Sequence, residues 1–200
     1  MKDPVQIPLV GLDSSWTPPS TFPNLKEAEE MAVDLETRDP NIRTNGPGWA
    51  TNDGEVVGVS VAVKDWSGYF PFKHEGGGNF DKSLVFEWLQ DQLNTPSDKI
   101  FHNALYDVGW LKREGIKIQG KIQDTMIAAP LIDENRKQYS LDSLGLDYCN
   151  ERKDETLLEE AAINWGIDPK AEMWKLPSKY VGAYAEQDAV LTLNLWQKLK

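Results

Sequence analysis

Apolar residues near the start of the chain fall into short runs that are typical of strands. The runs at residues 31–37, 56–63 and 66–72 are rich in β-branched or aromatic residues, which favours extended backbone. The densest run, 56–63, reads VVGVSVAV. A brief apolar segment at 99–102 indicates one further strand. This part of the chain therefore predicts a β-meander followed by a separate strand.

Later in the chain, apolar positions recur at helical spacing. Over residues 179–199 they fall on one stripe, which predicts a long amphipathic helix. Residues 38–54 are rich in Gly, Pro, Asn and Asp, so they predict a long loop. Strands followed by helices predict an α/β fold in which a mixed β-sheet is flanked by helices. The remaining predicted helices are 81–93, 104–114, 124–133 (limited or kinked by Pro130), 141–148 and 155–165.

The N-terminal segment differs from the rest of the chain. Five of the 12 prolines lie in the first 24 residues, and proline fixes φ and removes an amide donor. We therefore expect residues 1–25 to form an extended arm or an edge strand, and residues 26–200 to form a single functional domain.

Composition excludes several classes of protein. The 200 residues are 40% hydrophobic and include 8 Trp, which argues against disorder. The single cysteine, Cys149, excludes an internal disulfide framework and a cysteine-based zinc site. We see no signal-peptide core and no apolar run of ~18 residues, so we expect a cytoplasmic protein with no membrane partner.

Asp34 and Glu36 are two residues apart on the first predicted strand. Because strand side chains alternate, both carboxylates point to the same face of a strand that is otherwise apolar. They would repel each other there, and a bound divalent cation would offset the repulsion. The alternative is that both lie at a solvated strand end.

A second acidic site opens the helix predicted at 104–114. Asn103 and Asp107 are four residues apart and share one helix face. The start of that helix also offers backbone donors suited to a phosphate. Asn103 serves equally well as a helix cap.

The third acidic site is in the last helix, where Tyr184 and Asp188 share the apolar stripe. No Lys or Arg lies within four residues of Asp188, so its partner must come from elsewhere in the fold. A metal ion is one candidate. Four carboxylates, from Asp34, Glu36, Asp107 and Asp188, suit two Mg²⁺ or Mn²⁺ ions, the usual arrangement for phosphodiester hydrolysis.

The segments VDLET, HNALYDVGWL and YAEQDAVLTL, in this order, resemble the three exonuclease motifs of the DEDD superfamily. The Tyr four residues before the last Asp resembles its tyrosine subclass. Supporting segments such as QDTMIAAPLID resemble the proofreading 3′–5′ exonuclease domain of family A DNA polymerases, especially those of phages. The resemblance implies an RNase H-like (DnaQ-like exonuclease) fold, and action in the host cytoplasm if the source is a phage.

The resemblance also implies roles for these residues. Asp34, Glu36 and Asp188 would hold one metal ion. Asp34 and Asp107 would hold the second, while Tyr184 and Glu36 orient the attacking water. The implied substrate is the 3′ end of single-stranded DNA, with a polymerase domain or subunit as partner. The implied substrate contacts come from Leu35, Thr37, His102 and Asn103.

Two alternatives remain open from the sequence. One is an RNase D-like enzyme that trims RNA 3′ ends, because the motifs do not read the ribose 2′-OH. The other is a catalytically silent module that binds a strand. The formal net charge of −11 adds that nucleic acid should be bound weakly and with the help of cations.

Overall fold

The computed structural model describes residues 12–200. Within that range the chain forms a five-stranded mixed sheet in the order β3-β2-β1-β4-β5. The first three strands are an antiparallel meander, and β4 and β5 run parallel to β1. The strands are β1 Glu30–Arg38, β2 Glu55–Val63, β3 Trp66–Pro71, β4 Asp98–Phe101 and β5 Ile122–Asp124. The predicted mixed sheet flanked by helices is confirmed.

Eight α-helices surround this sheet within the described residues. They are α1 Ile42–Asn45, α2 Gly48–Thr51, α3 Lys82–Leu93, α4 Ala104–Arg113, α5 Thr125–Ile132, α6 Leu141–Leu144, α7 Thr156–Trp165 and α8 Gly182–Leu199. A π-helical turn, Gly145–Cys149, continues α6, and two 3₁₀ turns, Met173–Lys175 and Ser178–Tyr180, precede α8.

Four predicted segments differ from the structure, and a fifth element, the strand β5, has no predicted counterpart. The loop predicted at 38–54 contains α1 and α2, each only 4 residues long. The helix predicted at 124–133 begins one residue later, because Asp124 ends β5 by pairing with Phe101 of β4. The helix predicted at 141–148 changes to π geometry at Gly145, and the one predicted at 179–199 begins as a 3₁₀ turn. All four depend on short pieces or non-local pairing, which leave no periodic pattern to detect.

The two faces of the sheet are covered by different helices. Val33 and Val59 lie in the main core with residues of α3 and α4. Ala32 and Ala62 point the other way and pack against Ala189 of α8. Since side chains alternate along a strand, Asp34 and Glu36 share the face of Ala32. The strand pattern alone therefore directs both carboxylates towards α8.

The described part of the N-terminal arm is extended and packs on the domain. Residues 12–25 form no strand, so the edge-strand alternative is not seen there, and residues 1–11 lie outside the described range. The indole of Trp16 lies against Tyr69 of β3, and its Nε1 donates to Glu186 of α8 at 2.8 Å. The boundary expected between residues 25 and 26 stays a prediction.

Candidate active site

Three of the four predicted carboxylates meet at the centre of the sheet. Asp34 and Glu36 project from β1, and Asp188 projects from the buried side of α8 to face them. One oxygen from each of the three lies within 4.8 Å of the other two, close enough to share one metal ion. Glu36 and Asp188 are buried, whereas Asp34 is half-buried at the edge of the cluster.

Asp107 approaches the same place from another element. It lies in the first turn of α4 and is buried. Burial raises its pKa most, and the negative charges of Asp34 and Glu36 raise it further, so Asp107 lies within electrostatic reach of both. It is not one of the three residues whose oxygens converge within 4.8 Å. The carboxylates thus form a trio with a fourth member beside it.

The electrostatics of this cluster call for a cation. Burial, followed by repulsion from Asp188, raises the pKa of Asp34 to about 7. Burial and the neighbouring carboxylates likewise raise the pKa of Glu36 and Asp107 well above the usual range. Buried carboxylates that repel one another are stabilised by a divalent ion, and oxygen ligands suit Mg²⁺ or Mn²⁺. The donor set therefore fits the expected metal.

Lys153 is the residue at this site that the sequence did not reveal. Its Nζ lies 2.8 Å from Asp188 Oδ1 and 3.1 Å from the Tyr184 hydroxyl. Asp188 Oδ1 is buried, and the ion pair does not give it a hydrogen bond of normal geometry. The partner expected for Asp188 from elsewhere in the fold thus includes a lysine 35 residues upstream. No periodic pattern marks that lysine.

Tyr184 lies one helical turn before Asp188 and is also buried. Burial and the nearby charge of Asp188 raise the pKa of its hydroxyl well above the ordinary value of 10.0. A hydroxyl that holds its proton this firmly does not act as a base near neutral pH. It can orient a water molecule by hydrogen bonding, which is the role that the resemblance implies.

Asp124 occupies the start of α4, where the sequence predicts backbone donors suited to a phosphate. Its carboxylate accepts from the backbone N–H of Asn103 at 3.0 Å and of Ala104 at 2.8 Å. It also accepts from the N–H of Met126 at 2.9 Å in the first turn of α5. Two backbone donors at this helix start are therefore already occupied, because one aspartate caps two helices, and phosphate binding there stays a prediction.

Asn103 and His102 lie beside that double cap. Asn103 is exposed and precedes α4 with left-handed backbone (φ 69°), but its side chain makes no capping bond, contrary to the alternative considered for it. The His102 ring is half-buried, and its Nδ1 lies 2.8 Å from the Thr125 hydroxyl. Burial lowers the pKa of His102 to about 4, so the ring is neutral near pH 7.

Leu35 and Thr37 have different surroundings. Leu35 is 6% exposed and packs in the main core, on the sheet face opposite the carboxylates, which argues against contact with a base. Thr37 is half-buried, and its hydroxyl lies 2.8 Å from the hydroxyl of Tyr106, which donates to Asp39. Substrate contact by either residue stays a prediction.

This geometry defines a class of protein. A mixed sheet with Asp-x-Glu on its central strand, met by aspartates from two helices, is the arrangement of a carboxylate-dependent nuclease with an RNase H-like fold. The model of one family, described as 3′–5′ exonuclease, matches residues 12–200. The chain belongs to this 3′–5′ exonuclease family of DNA polymerase A type, and it is an exonuclease domain.

Known relatives agree with the family. The DNA-directed DNA polymerase of Pseudomonas phage M6 is 39% identical over 194 residues, which cover 94% of this chain and 29% of the polymerase. DNA polymerase DpoZ of Salmonella phage PMBT28 is 30% identical and is matched over 88% of this chain and 27% of its own length. The chain thus spans less than a third of the length of these two relatives.

Solved structures show the same fold at low sequence identity. RNase D of Trypanosoma brucei superposes with a TM-score of 0.64 at 16% identity, covering 88% of this chain and 58% of that chain. Brucella melitensis NrnC bound to pGG gives a TM-score of 0.58 at 16% identity, over 88% of this chain and 75% of that one. These two similarities concern the fold alone.

The helices formed by residues 12–200 include none that is both long and apolar enough to cross a membrane.

Proposed function

We propose that this chain removes nucleotides one at a time from the 3′ end of single-stranded or frayed DNA and releases nucleoside monophosphates. We further propose that it uses two divalent cations, Mg²⁺ or Mn²⁺, and proofreads for a DNA polymerase. The observation that carries the proposal is the trio of the half-buried Asp34 and the buried Glu36 and Asp188, whose oxygens converge within 4.8 Å. Three carboxylates this close together are stabilised by a bound cation, and bound divalent cations catalyse the hydrolysis of phosphodiesters.

Each residue of the cluster then has a role. Asp34, Glu36 and Asp188 would hold one ion, and Asp34 together with Asp107 would hold the other. Bound divalent ions supply a water of lowered pKa and stabilise the charge on the leaving oxygen. Glu36 and the Tyr184 hydroxyl orient that water, and the high pKa of Tyr184 keeps its proton available for the hydrogen bond.

Arg38, the last residue of β1, and Trp174 form a pair suited to contact with a DNA strand. The guanidinium of Arg38 lies 4.8 Å from the centre of the Trp174 ring, and Arg38 directly follows Thr37. Arg38 also pairs with Glu55 at 3.4 Å, and Lys175 Nζ lies 5.2 Å from the centre of the same ring, so two cationic side chains surround this indole. Cationic and aromatic side chains together suit single-stranded DNA. This positive charge supports substrate binding by a domain whose net charge is −11.

The phage relatives support a polymerase partner, which is either fused to this domain or a separate subunit. They also support action in the host cytoplasm. An acidic domain suits the receipt of a 3′ end from a more basic neighbour. RNase D-like trimming of RNA stays the alternative, supported only by similarity of fold.

The test is digestion of matched DNA and RNA oligonucleotides labelled at the 5′ end, with and without Mg²⁺. We expect a ladder that shortens from the 3′ end of DNA and disappears in EDTA. The double variant Asp34→Ala with Glu36→Ala should leave the DNA intact. Cleavage of RNA alone would favour the RNase D-like alternative, and no cleavage of either would favour a silent strand-binding module.

Replacing Tyr184 by Phe tests its orienting role. We expect turnover to fall by roughly ten- to a hundred-fold, since a lost positioning bond misaligns the water. Mn²⁺ affinity, measured by calorimetry, should stay close to that of the unaltered protein. Turnover equal to that of the unaltered protein would remove Tyr184 from the mechanism.

A further inference from the structure

Lys153 brings the one positive charge that the described residues place against the carboxylate trio. Its side chain is 9% exposed, and its Nζ lies 2.8 Å from Asp188 Oδ1. The same ammonium donates to the Tyr184 hydroxyl at 3.1 Å and lies 4.6 Å from the centre of that ring. Its charge also acts on Asp34 and Glu36, whose pKa values it lowers against the effect of burial.

Gln187, which precedes Asp188 on α8, forms two hydrogen bonds to the loop that carries Lys153. The Gln187 amide oxygen accepts from the N–H of Asp154 at 2.7 Å, and its Nε2 donates to the carbonyl of Arg152 at 3.0 Å. These two bonds fix the backbone of the residues on both sides of Lys153. The loop backbone at Lys153 is therefore held in place by the Gln187 side chain, independently of the contacts of the ammonium.

The ammonium and a divalent ion compete for the same carboxylate, that of Asp188. A Mg²⁺ or Mn²⁺ ion shared by the trio must approach Asp188, and like charges at that separation repel strongly in a partly buried site. Lysine carries its charge on a flexible four-carbon stem, so it can leave one oxygen while the backbone stays in place. The Tyr184 hydroxyl offers the displaced ammonium a neighbouring acceptor.

We propose that Lys153 is the resident countercharge of the carboxylate trio: it neutralises Asp188 before metal binds, and the first divalent cation must displace it. This inference rests on the proposed function only in requiring that the trio binds a divalent ion. It makes Lys153 a positioning residue that lowers metal affinity while stabilising the metal-free fold. Metal binding and metal-free stability should then change in opposite directions when the charge is removed.

The test is Mn²⁺ binding to the 200-residue chain, measured by the electron paramagnetic resonance of free Mn²⁺, together with thermal unfolding in EDTA. Lys153→Met should bind Mn²⁺ more tightly, on the order of ten-fold, because a nearby like charge is gone. It should also unfold at a lower temperature in EDTA. Lys153→Arg, which keeps the charge, should bind Mn²⁺ no more tightly than the unaltered chain.

Lys26→Met is the matched control. It removes the same charge from an exposed ion pair with Asp91 on the surface, where Nζ and Oδ2 are 2.7 Å apart. It should leave Mn²⁺ affinity unchanged. If Lys153→Met does not fold, Gln187→Leu takes its place: it releases the loop and should tighten Mn²⁺ binding by a few-fold.

Equal or weaker Mn²⁺ binding in the Lys153→Met chain, or in the Gln187→Leu chain where the first does not fold, would overturn the inference. It would leave Lys153 as a purely structural ion pair. Failure of the unaltered chain to bind Mn²⁺ at all would instead remove the proposed function, and the inference with it. The two failures are therefore distinguishable in one set of titrations.

Discussion

The charged carboxylates of this site lower the stability of the metal-free fold. Asp34, Glu36 and Asp188 are brought together on the sheet face beneath α8; burial raises the pKa of all three, and repulsion from neighbouring trio carboxylates raises it further at Asp34 and Glu36. A raised carboxylate pKa means that the folded state disfavours the charged form. The metal-free domain is therefore less stable at the higher pH at which the carboxylates are charged and bind a cation.

The first prediction concerns this linkage. The pKa of Asp34 is about 7 in the folded state against an ordinary 3.8, so the folded state retains a proton that the unfolded chain has lost. The contribution of Asp34 to stability thus declines as pH rises between these values. Because Mg²⁺ binds the deprotonated cluster, it should raise the melting temperature more at about pH 8 than at about pH 5.

Calorimetry with Mg²⁺ or EDTA at both pH values checks it. The Asp34→Ala, Glu36→Ala double variant serves as the control and should show no gain from Mg²⁺ at either pH. A gain of equal size at both values in the unaltered protein would contradict the assignment of these carboxylates as ligands.

At the scale of elements, side chains in the connections fix how helices meet the sheet. Asp124 ends β5 and caps both α4 and α5. Because α4 carries Asp107, this one carboxylate also orients a member of the active site. The cap on α5 is a local contact, whereas the cap on α4 spans about 20 residues and exists only in the folded chain.

The second prediction follows from the double cap. Asp124→Ala should lower the free energy of unfolding by about 2 kcal/mol, since three backbone donors lose their acceptor. Urea unfolding measures the loss, and hydrogen exchange should speed up at Asn103, Ala104 and Met126. Asp124→Asn keeps one acceptor oxygen and should lose less. Faster exchange at Met126 alone would show that the α4 cap is dispensable.

The third prediction concerns His74, which ties the loop after β3 to the segment before α8. Its Nδ1 lies 3.1 Å from the carbonyl of Leu176, and its Nε2 lies 2.7 Å from the hydroxyl of Tyr69. A carbonyl only accepts, so Nδ1 carries the proton and Nε2 accepts from the tyrosine. Burial lowers the pKa of His74 from 6.5 to about 4.

Between about pH 6.5 and about pH 4, His74 is protonated in the unfolded chain but neutral in the folded one. The free energy of unfolding therefore falls as the pH drops through this range. The contribution of His74 is at most about 3 kcal/mol. The His74→Gln variant should lose part of this pH dependence in urea unfolding, while His102, whose pKa is also about 4, keeps the rest. An unchanged slope below pH 6.5 would contradict this account of His74.

At the scale of the whole molecule, the described arm and α8 are held together by aromatic packing. A Cβ built on Gly182, the first residue of α8, would lie 2.1 Å from the Trp16 indole, so that helix start has room only for glycine. The indole Nε1 donates to Glu186, which also accepts from the N–H of Tyr69. The arm thus supports the helix that carries Tyr184 and Asp188.

The fourth prediction tests that support. Trp16→Ala should cost about 2 kcal/mol of stability, because a large half-buried side chain leaves a gap. Gly182→Ala should also destabilise the fold, and the two effects should not add, since both act on one contact. A double-variant cycle by urea unfolding measures the coupling. Fully additive losses would mean that the arm and α8 are independent.

Features that follow from a regular backbone could be predicted from the amino-acid pattern. A period of two places Asp34 and Glu36 on one face of β1, and a period near 3.6 places Tyr184 and Asp188 on the buried stripe of α8. The meander, the main helices and the carboxylate set follow from the same local rules. Composition added that these carboxylates belong to an acidic chain with a single cysteine.

The irregular segments that complete the site could be located only in the folded chain. Lys153 lies in a loop without periodicity, and it contacts Asp188 because hydrogen bonds from Gln187 hold that loop against α8. The short strand β5, the second cap made by Asp124 and the burial of Leu35 likewise depend on contacts between distant parts of the chain. Loop conformation is set by such non-local contacts, so no local pattern in the sequence encodes it.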